Sequence, residues 1–411
     1  MRAAVTLEQC WHRVPGGTAV AALEVVAAVH DRGDVEVVGV SAAHRGPPPD
    51  AFRPVVPVRS LPLPRTALYE AWHGLRRPRV ELALGRVDVV HATTIVIPPR
   101  SAPLVVTVHD LAFLHEPGHF TRRGLRTFHR GLDLLRRDAD LVLCSSMATW
   151  ADLASHGVGE ARLRLVPLGV RAERATTEEV AHARQQLGLD RPYVLFAGTV
   201  EPRKNLPRLI AAFERVRAEH ADLELVLAGP SGWGDVVVTG GEVRALGFVS
   251  PDQLRALYAG AEVLAYPSLR EGFGLPVLEA MAQGTAVVTS RGTSTEDVAG
   301  GRAVLVDPLD VDDIARGLDE ALRRSEELAE AGLQRAHVIS AARWMPASAS
   351  SSRRRRASSS PRAMSSTSKG STSTARPPAT SSVLVPREVT TAVPCAIASS
   401  TGRPKPSRRL G

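Results

Sequence analysis

Two glutamates eight residues apart carry the clearest chemical signal in the chain. Glu271 and Glu279 stand in AYPSLREGFGLPVLEAMAQGTAVVTS, Ala265 to Ser290. An apolar run ends at Pro267, Gly272 and Gly274 mark a loop, and Pro276 falls where a helix would begin. Proline suits a first helical turn, because the N–H it lacks has no intrahelical partner there. Glycine lets the backbone approach a ligand closely. The free N–H groups of a helix start attract anions. Glu279 is expected in or near the first turn, where a carboxylate is electrostatically favoured and can accept two hydrogen bonds from the vicinal hydroxyls of a ribose. Glu271 is expected on the loop, beside a diphosphate-linked sugar. A strand–loop–helix turn with two solvated glutamates would account for the spacing alone, but not for the spacing inside this loop.

A second group lies in FAGTVEPRKNLPRLIAAF, Phe196 to Phe213. A buried strand is expected to end at Gly198. Arg203 and Lys204 follow it, just before a helix opened by Asn205 and Pro207. Cations at this end of a parallel strand suit a diphosphate leaving group. As surface cations at a helix start they would oppose the helix dipole, which makes a structural role less attractive.

The first half of the chain is less distinctive. Pro15-Gly16-Gly17-Thr18 precedes a helix-like run and could face donor phosphates across a cleft. His109, in Val106-Thr107-Val108-His109-Asp110, ends a strand, where α/β ligand sites form; capping the strand is an equal alternative. His91 also ends a strand and reads as structural. Asp138-Ala139-Asp140 imitates a metal-binding D-x-D but runs straight into the apolar stretch Leu141–Cys144, so it reads as a helix-to-strand turn, with no metal.

These groups need a scaffold, and the alternation of short apolar runs with amphipathic segments supplies one. Beyond a short strand-like run after Met1, strands are expected at Val35–Val40, Val87–His91, Leu104–Val108, Leu141–Cys144 and Leu163–Pro167, then at Tyr193–Gly198, Leu223–Gly229, Ala261–Pro267 and Ala286–Thr289. Continuous apolar runs are the mark of parallel strands buried on both faces. Leu206–His220 and Pro251–Ala259 read as helices between them. The pattern predicts an α/β protein of two doubly wound, Rossmann-like parallel-sheet domains. The charged stretch Arg171–Arg191 breaks it. Residues 1–175 are therefore expected to form the first domain, 176–190 a linker with a helix, 191–335 the second domain, and 340–411 a disordered basic tail.

Charge locates the tail. The chain carries net +8 over 411 residues, yet from Ser340 onward it has 13 Lys and Arg against the single acid Glu388, so the body is about −4. The basic face that nucleic-acid binding requires is absent from the folded part, and no nucleic-acid partner is expected. Cys10, Cys144 and Cys395 are too scattered for a disulfide framework or a zinc site and suit a reducing compartment. Neither a signal peptide nor a membrane span is read, so the expected location is the cytoplasm. One run, FTRRGLRTFHRGLDLLRR from Phe120 to Arg137, could lie on an anionic bilayer at the inner face of the membrane. A core-facing apolar stripe with a solvated basic face is the commoner meaning of that pattern.

The motifs PGG (15–17), TVHDL (107–111), GTVEPRKN (198–205), GFVSPDQLRALYAGAEVLAYPS (247–268), REGFGLPVLEAMAQG (270–284) and AVLVDP (303–308) together resemble the family 4 retaining glycosyltransferases of GT-B fold, in the mannosyltransferase-like subgroup. The resemblance runs from about Pro15 to Ala331. It implies a hexosyltransferase of cell-wall or exopolysaccharide biosynthesis. Such an enzyme takes a nucleoside-diphosphate sugar in the second domain and a glycan or lipid-linked acceptor in the first, across a cleft. It needs no cofactor and no metal. By the same resemblance Glu279 holds the ribose, Lys204 and Arg203 hold the diphosphate, and His109 lies near the transferred sugar. Glu271 and the main chain of Gly272, Phe273, Gly274 and Leu275 address sugar and phosphate, with Gly16 and Gly17 opposite. His109, Lys204 and Glu271 are the catalytic candidates.

Two departures from the family stand out. Many relatives carry arginine where this chain has Thr199, which shifts phosphate charge onto Lys204 and Arg203. Past Ala336 the usual aromatic-containing segment and closing helix give way to Ser, Arg, Pro, Ala and Thr, the composition of a GC-rich gene read in a shifted frame; a genuine basic tail is the alternative. A homologue that binds nucleotide sugar with little or no turnover, for want of that helix, is the second functional reading. A dinucleotide-dependent oxidoreductase is disfavoured, because no G-x-G-x-x-G follows an early strand.

Overall fold

The computed structural model describes residues 1–12, 15–170, 173–230, 232 and 242–342. The segment read as a basic or frameshifted tail, with Cys395, lies outside the described residues from 343 onward.

The first sheet is wholly parallel. Along the chain come β1 (Arg2–Thr6), α1 (Gly16–His30), β2 (Glu36–Ser41), β3 (Val58–Ser60), α2 (Arg65–Glu70), α3 (Glu81–Leu84), β4 (Val89–Ala92), β5 (Leu104–Val108), α4 (Ala112–His115), α5 (Arg122–Asp138), β6 (Leu141–Cys144), α6 (Met147–Ser155) and β7 (Leu163–Leu165). The strand order is β3-β2-β1-β4-β5-β6-β7. Its central strands are continuous apolar runs because helices cover both faces. β3 was not expected from the sequence: it is three residues long at the sheet edge, with Arg59 and Ser60 exposed, so no apolar run marks it.

After β7 come α7 (Thr177–Leu187), β8 (Tyr193–Ala197), α8 (Leu206–Val216), β9 (Glu224–Ala228), β10 (Val243–Gly247), α9 (Pro251–Gly260), β11 (Val263–Tyr266), α10 (Leu275–Gln283), β12 (Ala286–Ser290), α11 (Ser294–Ala299), β13 (Val304–Val306), α12 (Val311–Arg323) and α13 (Ser325–Ala342). The second sheet, also parallel, runs β10-β9-β8-β11-β12-β13. Local signals set its helix ends. Thr176 with Glu179, and Ser250 with Gln253, close capping boxes at the starts of α7 and α9. Leu328, Ala336 and Ile339 of α13 pack into the second core.

The chain between the sheets is fastened to the second unit. Gln283, the last residue of α10, accepts the Ala175 N–H at 2.8 Å and donates to the Glu173 carbonyl at 2.9 Å. Arg174 donates to the Gln283 carbonyl at 3.3 Å.

In the Phe120–Arg137 run, Leu132, Leu134 and Leu135 of α5 are buried, and Leu125 and Phe128 pack against the same core. The apolar stripe is therefore used inside the domain, and only the basic face is outward. Among the described residues no helix is long and apolar enough to cross a membrane.

Candidate functional site

Each sheet reverses its strand order once, between β1 and β4 in the first and between β8 and β11 in the second. A crevice opens at such a point beyond the carboxyl ends of the strands, and ligands bind there. In the second sheet the two candidate groups flank that crevice. Arg203 and Lys204 follow β8 in a short helical turn, Pro202–Lys204, and Glu271 follows β11.

These side chains meet in a buried charge cluster. Lys204 Nζ donates to Glu271 Oε1 at 2.7 Å, and Arg203 reaches Glu271 Oε2 at 3.2 Å and Glu201 Oε1 at 2.7 Å. The Tyr266 hydroxyl donates to Glu271 Oε1 at 3.1 Å and accepts from Lys204. Burial raises the Glu271 carboxyl, but Lys204 and Arg203 outweigh it and hold it below the ordinary range. Burial likewise draws the Lys204 ammonium down, against the pull of Glu271. Arg203 is raised, because Glu271, Glu201 and Asp110 together outweigh its burial. Glu201, Tyr266 and Asp110 were not singled out from the sequence. Glu201 lies within the quoted motif around Lys204 and Tyr266 within the one before Glu271, so the motifs held them without showing what they touch.

The loops are pinned from behind. Asn205 takes a left-handed φ of 63° and leaves the start of α8 without a side-chain cap. Its amide instead donates to the carbonyls of Pro267 at 3.0 Å and Pro308 at 2.6 Å, tying the ends of β8, β11 and β13 together. Ser294 Oγ donates to the Glu271 carbonyl at 2.7 Å.

Glu279 falls just past the first turn of the helix. α10 begins at Leu275, so Glu279 lies in its second turn, and the first turn holds no acid. Gly274 serves as the N-cap, with φ 109°, which places Pro276 second in the helix. Glu279 is half-buried; burial raises its carboxyl, while the Tyr258 hydroxyl donates to Oε2 at 2.8 Å. Gly274 brings no side chain to the helix start, so the first-turn N–H groups have no side-chain cap. Pro276 has no N–H and the Val277 N–H goes to the Gly274 carbonyl at 3.1 Å, so in the first turn the Leu275 amide alone is left outside the helix's own bonds.

Across the cleft, a Cβ on Gly17 would lie 3.7 Å from Leu275 Cδ1, which places the Gly16-Gly17 start of α1 opposite the start of α10. His109 Nε2 donates to the Thr93 carbonyl at 3.1 Å, leaving Nδ1 as the acceptor nitrogen. Burial lowers its pKa, against Asp110 and the Thr93 bond, and so favours the neutral ring. His91 is buried within the sheet and bonded to Thr107 Oγ1 at 2.8 Å. Asp138 is taken by Arg76 and Arg137, and Asp140 by Arg100 and the Leu104 N–H, as a structural turn requires. Among the described residues no three His, Cys, Asp or Glu gather as metal ligands. The two domains also touch at Arg270 and Asp152, 3.2 Å apart, and Asp152 is held from the other side by His115 at 3.0 Å.

Two facing doubly wound sheets, with a charge cluster at the switch point of the second, define a GT-B architecture. The relatives agree. Residues 15–174 match the family described as Glycosyltransferase Family 4, and residues 178–336 match Glycosyl transferases group 1. The MMP alpha-(1->4)-mannosyltransferase of Mycolicibacterium hassiacum is 30% identical over 300 residues, covering 65% of this chain and 70% of that protein. O-antigen chain mannosyltransferase B of Escherichia coli is 31% identical over 259 residues, covering 57% of this chain and 65% of that protein. The serotype-specific mannosyltransferase WbdA of the same organism is matched over only 30% of its length. The structure of Anabaena HepE in complex with UDP-glucose superposes with a TM-score of 0.65 at 19% identity, covering 86% of this chain and 100% of that one. The chain belongs to the family 4 glycosyltransferases, among their mannosyltransferase-like members.

Proposed function

We propose that the chain is a retaining hexosyltransferase that moves mannose or a related sugar from a nucleoside-diphosphate donor to a hydroxyl of a glycan or lipid-linked acceptor. The observation that carries this reading is the buried Lys204–Glu271–Arg203 cluster at the switch crevice, one helix start away from Glu279 and facing His109. Glu279 accepts from the ribose. Lys204, Arg203 and the Leu275 amide at the start of α10 take up the charge that develops on the departing diphosphate, with no metal ion needed for it. Fixed donors in a water-poor site stabilise such charge strongly. The acceptor hydroxyl enters from the first domain, on the face the diphosphate leaves, beside His109. The mannosyltransferases among the relatives favour mannose, and HepE, whose structure holds UDP-glucose, keeps other hexoses in view.

A thermal-unfolding screen of UDP-, GDP- and dTDP-sugars tests the donor class, since a ligand at about 100 times its dissociation constant adds about 2.7 kcal/mol. One sugar nucleotide should raise the melting temperature of the wild type and not of Glu279→Ala. A set that shifts neither overturns the reading. Contact with an anionic membrane in the cytoplasm would rest on the charge of α5 alone, because its apolar stripe is in the core; flotation with anionic vesicles should then be abolished by salt.

A further inference from the structure

The wall behind Glu279 contains a second spacing of eight. Tyr258 on α9 and Tyr266 at the end of β11 are both buried, and each hydroxyl serves one of the two glutamates, Tyr258 to Glu279 and Tyr266 to Glu271. The two pairs are not equivalent. Glu271 also has Lys204 and Arg203. For Glu279, the Tyr258 hydroxyl is the only hydrogen-bond partner of the carboxylate among the described residues, and it holds Oε2. Oε1 is left free on a half-buried side chain.

We propose that Tyr258 is a positioning residue of the nucleotide site: by holding Oε2 it fixes the plane of the Glu279 carboxylate and aims Oε1 at the ribose hydroxyls. This rests on the reading of Glu279 as the ribose-binding group. A carboxylate with one oxygen tethered presents a single direction to a ligand, whereas an untethered one turns about its last torsion, which is broad for Glu. Tyr258 is itself locked. Its ring is buried in the second core, and its backbone carbonyl accepts from Thr285 at the other end of α10. The hydroxyl also opposes the effect of burial on Glu279 and so helps keep it ionised, which it must be to act purely as an acceptor.

Other charges do not share this task. α9, α11, α13, β11 and β12 pack on α10. On α9, Arg255 is spent on Glu179, Glu173 and Asp252. On α11, Glu296 accepts the Gly292 N–H, and Arg335 of α13 donates to the carbonyls of Val298 and Asp297. On α13, Glu327 pairs with Arg324, and Glu326, Glu330 and His337 do not act on Glu279; nor does Tyr266, the one titratable group of β11, and β12 carries none.

The test compares UDP and GDP with their 2′-deoxy counterparts by calorimetry, on the full chain, in wild type, Tyr258→Phe, Tyr258→His and Glu279→Gln. The preferred ribonucleotide should bind Tyr258→Phe about tenfold more weakly, while its deoxy counterpart changes little, so the ribose preference collapses. Its affinity should also begin to fall at a higher pH than in wild type, because the carboxyl protonates sooner without the phenol. Tyr258→His, which keeps a ring N–H, should retain an intermediate preference, and serves should the phenylalanine variant fail to fold. If Glu279→Gln leaves ribonucleotide binding intact, the ribose reading of Glu279 itself is wrong. If Glu279→Gln weakens binding while Tyr258→Phe keeps both the preference and the pH profile of the wild type, the positioning role is overturned. A preference lost equally in the phenylalanine and histidine variants overturns it as well.

Discussion

A methyl group on Gly272 would lie 2.4 Å from the carbonyl oxygen of His109 and 3.0 Å from its carbonyl carbon. The loop that carries Glu271 and the strand end that carries His109 therefore meet backbone to backbone, with no side chain between them that could yield. Gly272→Ala has to open the cleft. Donor binding, which rests on the second domain, should stay within about threefold, while turnover falls about 100-fold, the scale on which misplacement by 1 Å is felt. Calorimetry with the donor and steady-state rates separate the two. Unchanged turnover would show that the closed contact is not the working one.

Lys204→Ala removes one partner from a buried pair. The remaining carboxylate of Glu271 keeps Arg203 and Tyr266, so the loss should sit at the lower end of the usual range, about 3 kcal/mol. Turnover with an accepted donor should fall at least about tenfold, because charge develops on the diphosphate as it leaves. Denaturant unfolding and kinetics measure the two effects. A variant with wild-type stability would mean that the pair is solvated.

Glu279→Gln should stabilise the ligand-free protein and weaken nucleotide binding at once. Burial raises the Glu279 carboxyl, so the folded chain holds that proton more tightly than the unfolded chain does. The ionised side chain therefore costs stability at neutral pH, and the cost fades as pH falls through the raised value. The variant should melt about 2 °C higher at neutral pH, with the difference vanishing in acid. Its affinity for the nucleotide should drop about tenfold or more. A melting difference that grows on acidification has the wrong sign for this account.

The thiols of Cys10 and Cys144 are both pushed up to about 12, mainly by burial, with Glu8 adding to the effect at Cys10. The thiolate is the reactive form. Neither cysteine should be alkylated in the folded protein at mildly alkaline pH, and both should be once it is denatured. Peptide mapping after labelling decides it.

The central strands were legible because burial on both faces writes an uninterrupted apolar run, as in Tyr193–Ala197 and Leu104–Val108. Edge strands lack that demand. β3 and β10 are short and partly exposed, and they left no run to read. Within the site, Lys204, Glu271 and Glu279 were legible as types at telling positions. Their partners were not, because Tyr258 meets Glu279 across 21 residues and Lys204 meets Glu271 across 67, and no local pattern encodes such a meeting. The sequence left open which turn holds Glu279, for a local reason. Pro276 marks the start of the helix but does not say whether it is the first residue or the second.

Gln283 grips the connecting chain at Glu173 and Ala175, on the same short helix whose opposite end faces the Gly16-Gly17 start of α1. The connector is thus a rein on α10. A displacement of Glu173 or Ala175 is passed through Gln283 to the helix that bears Glu279.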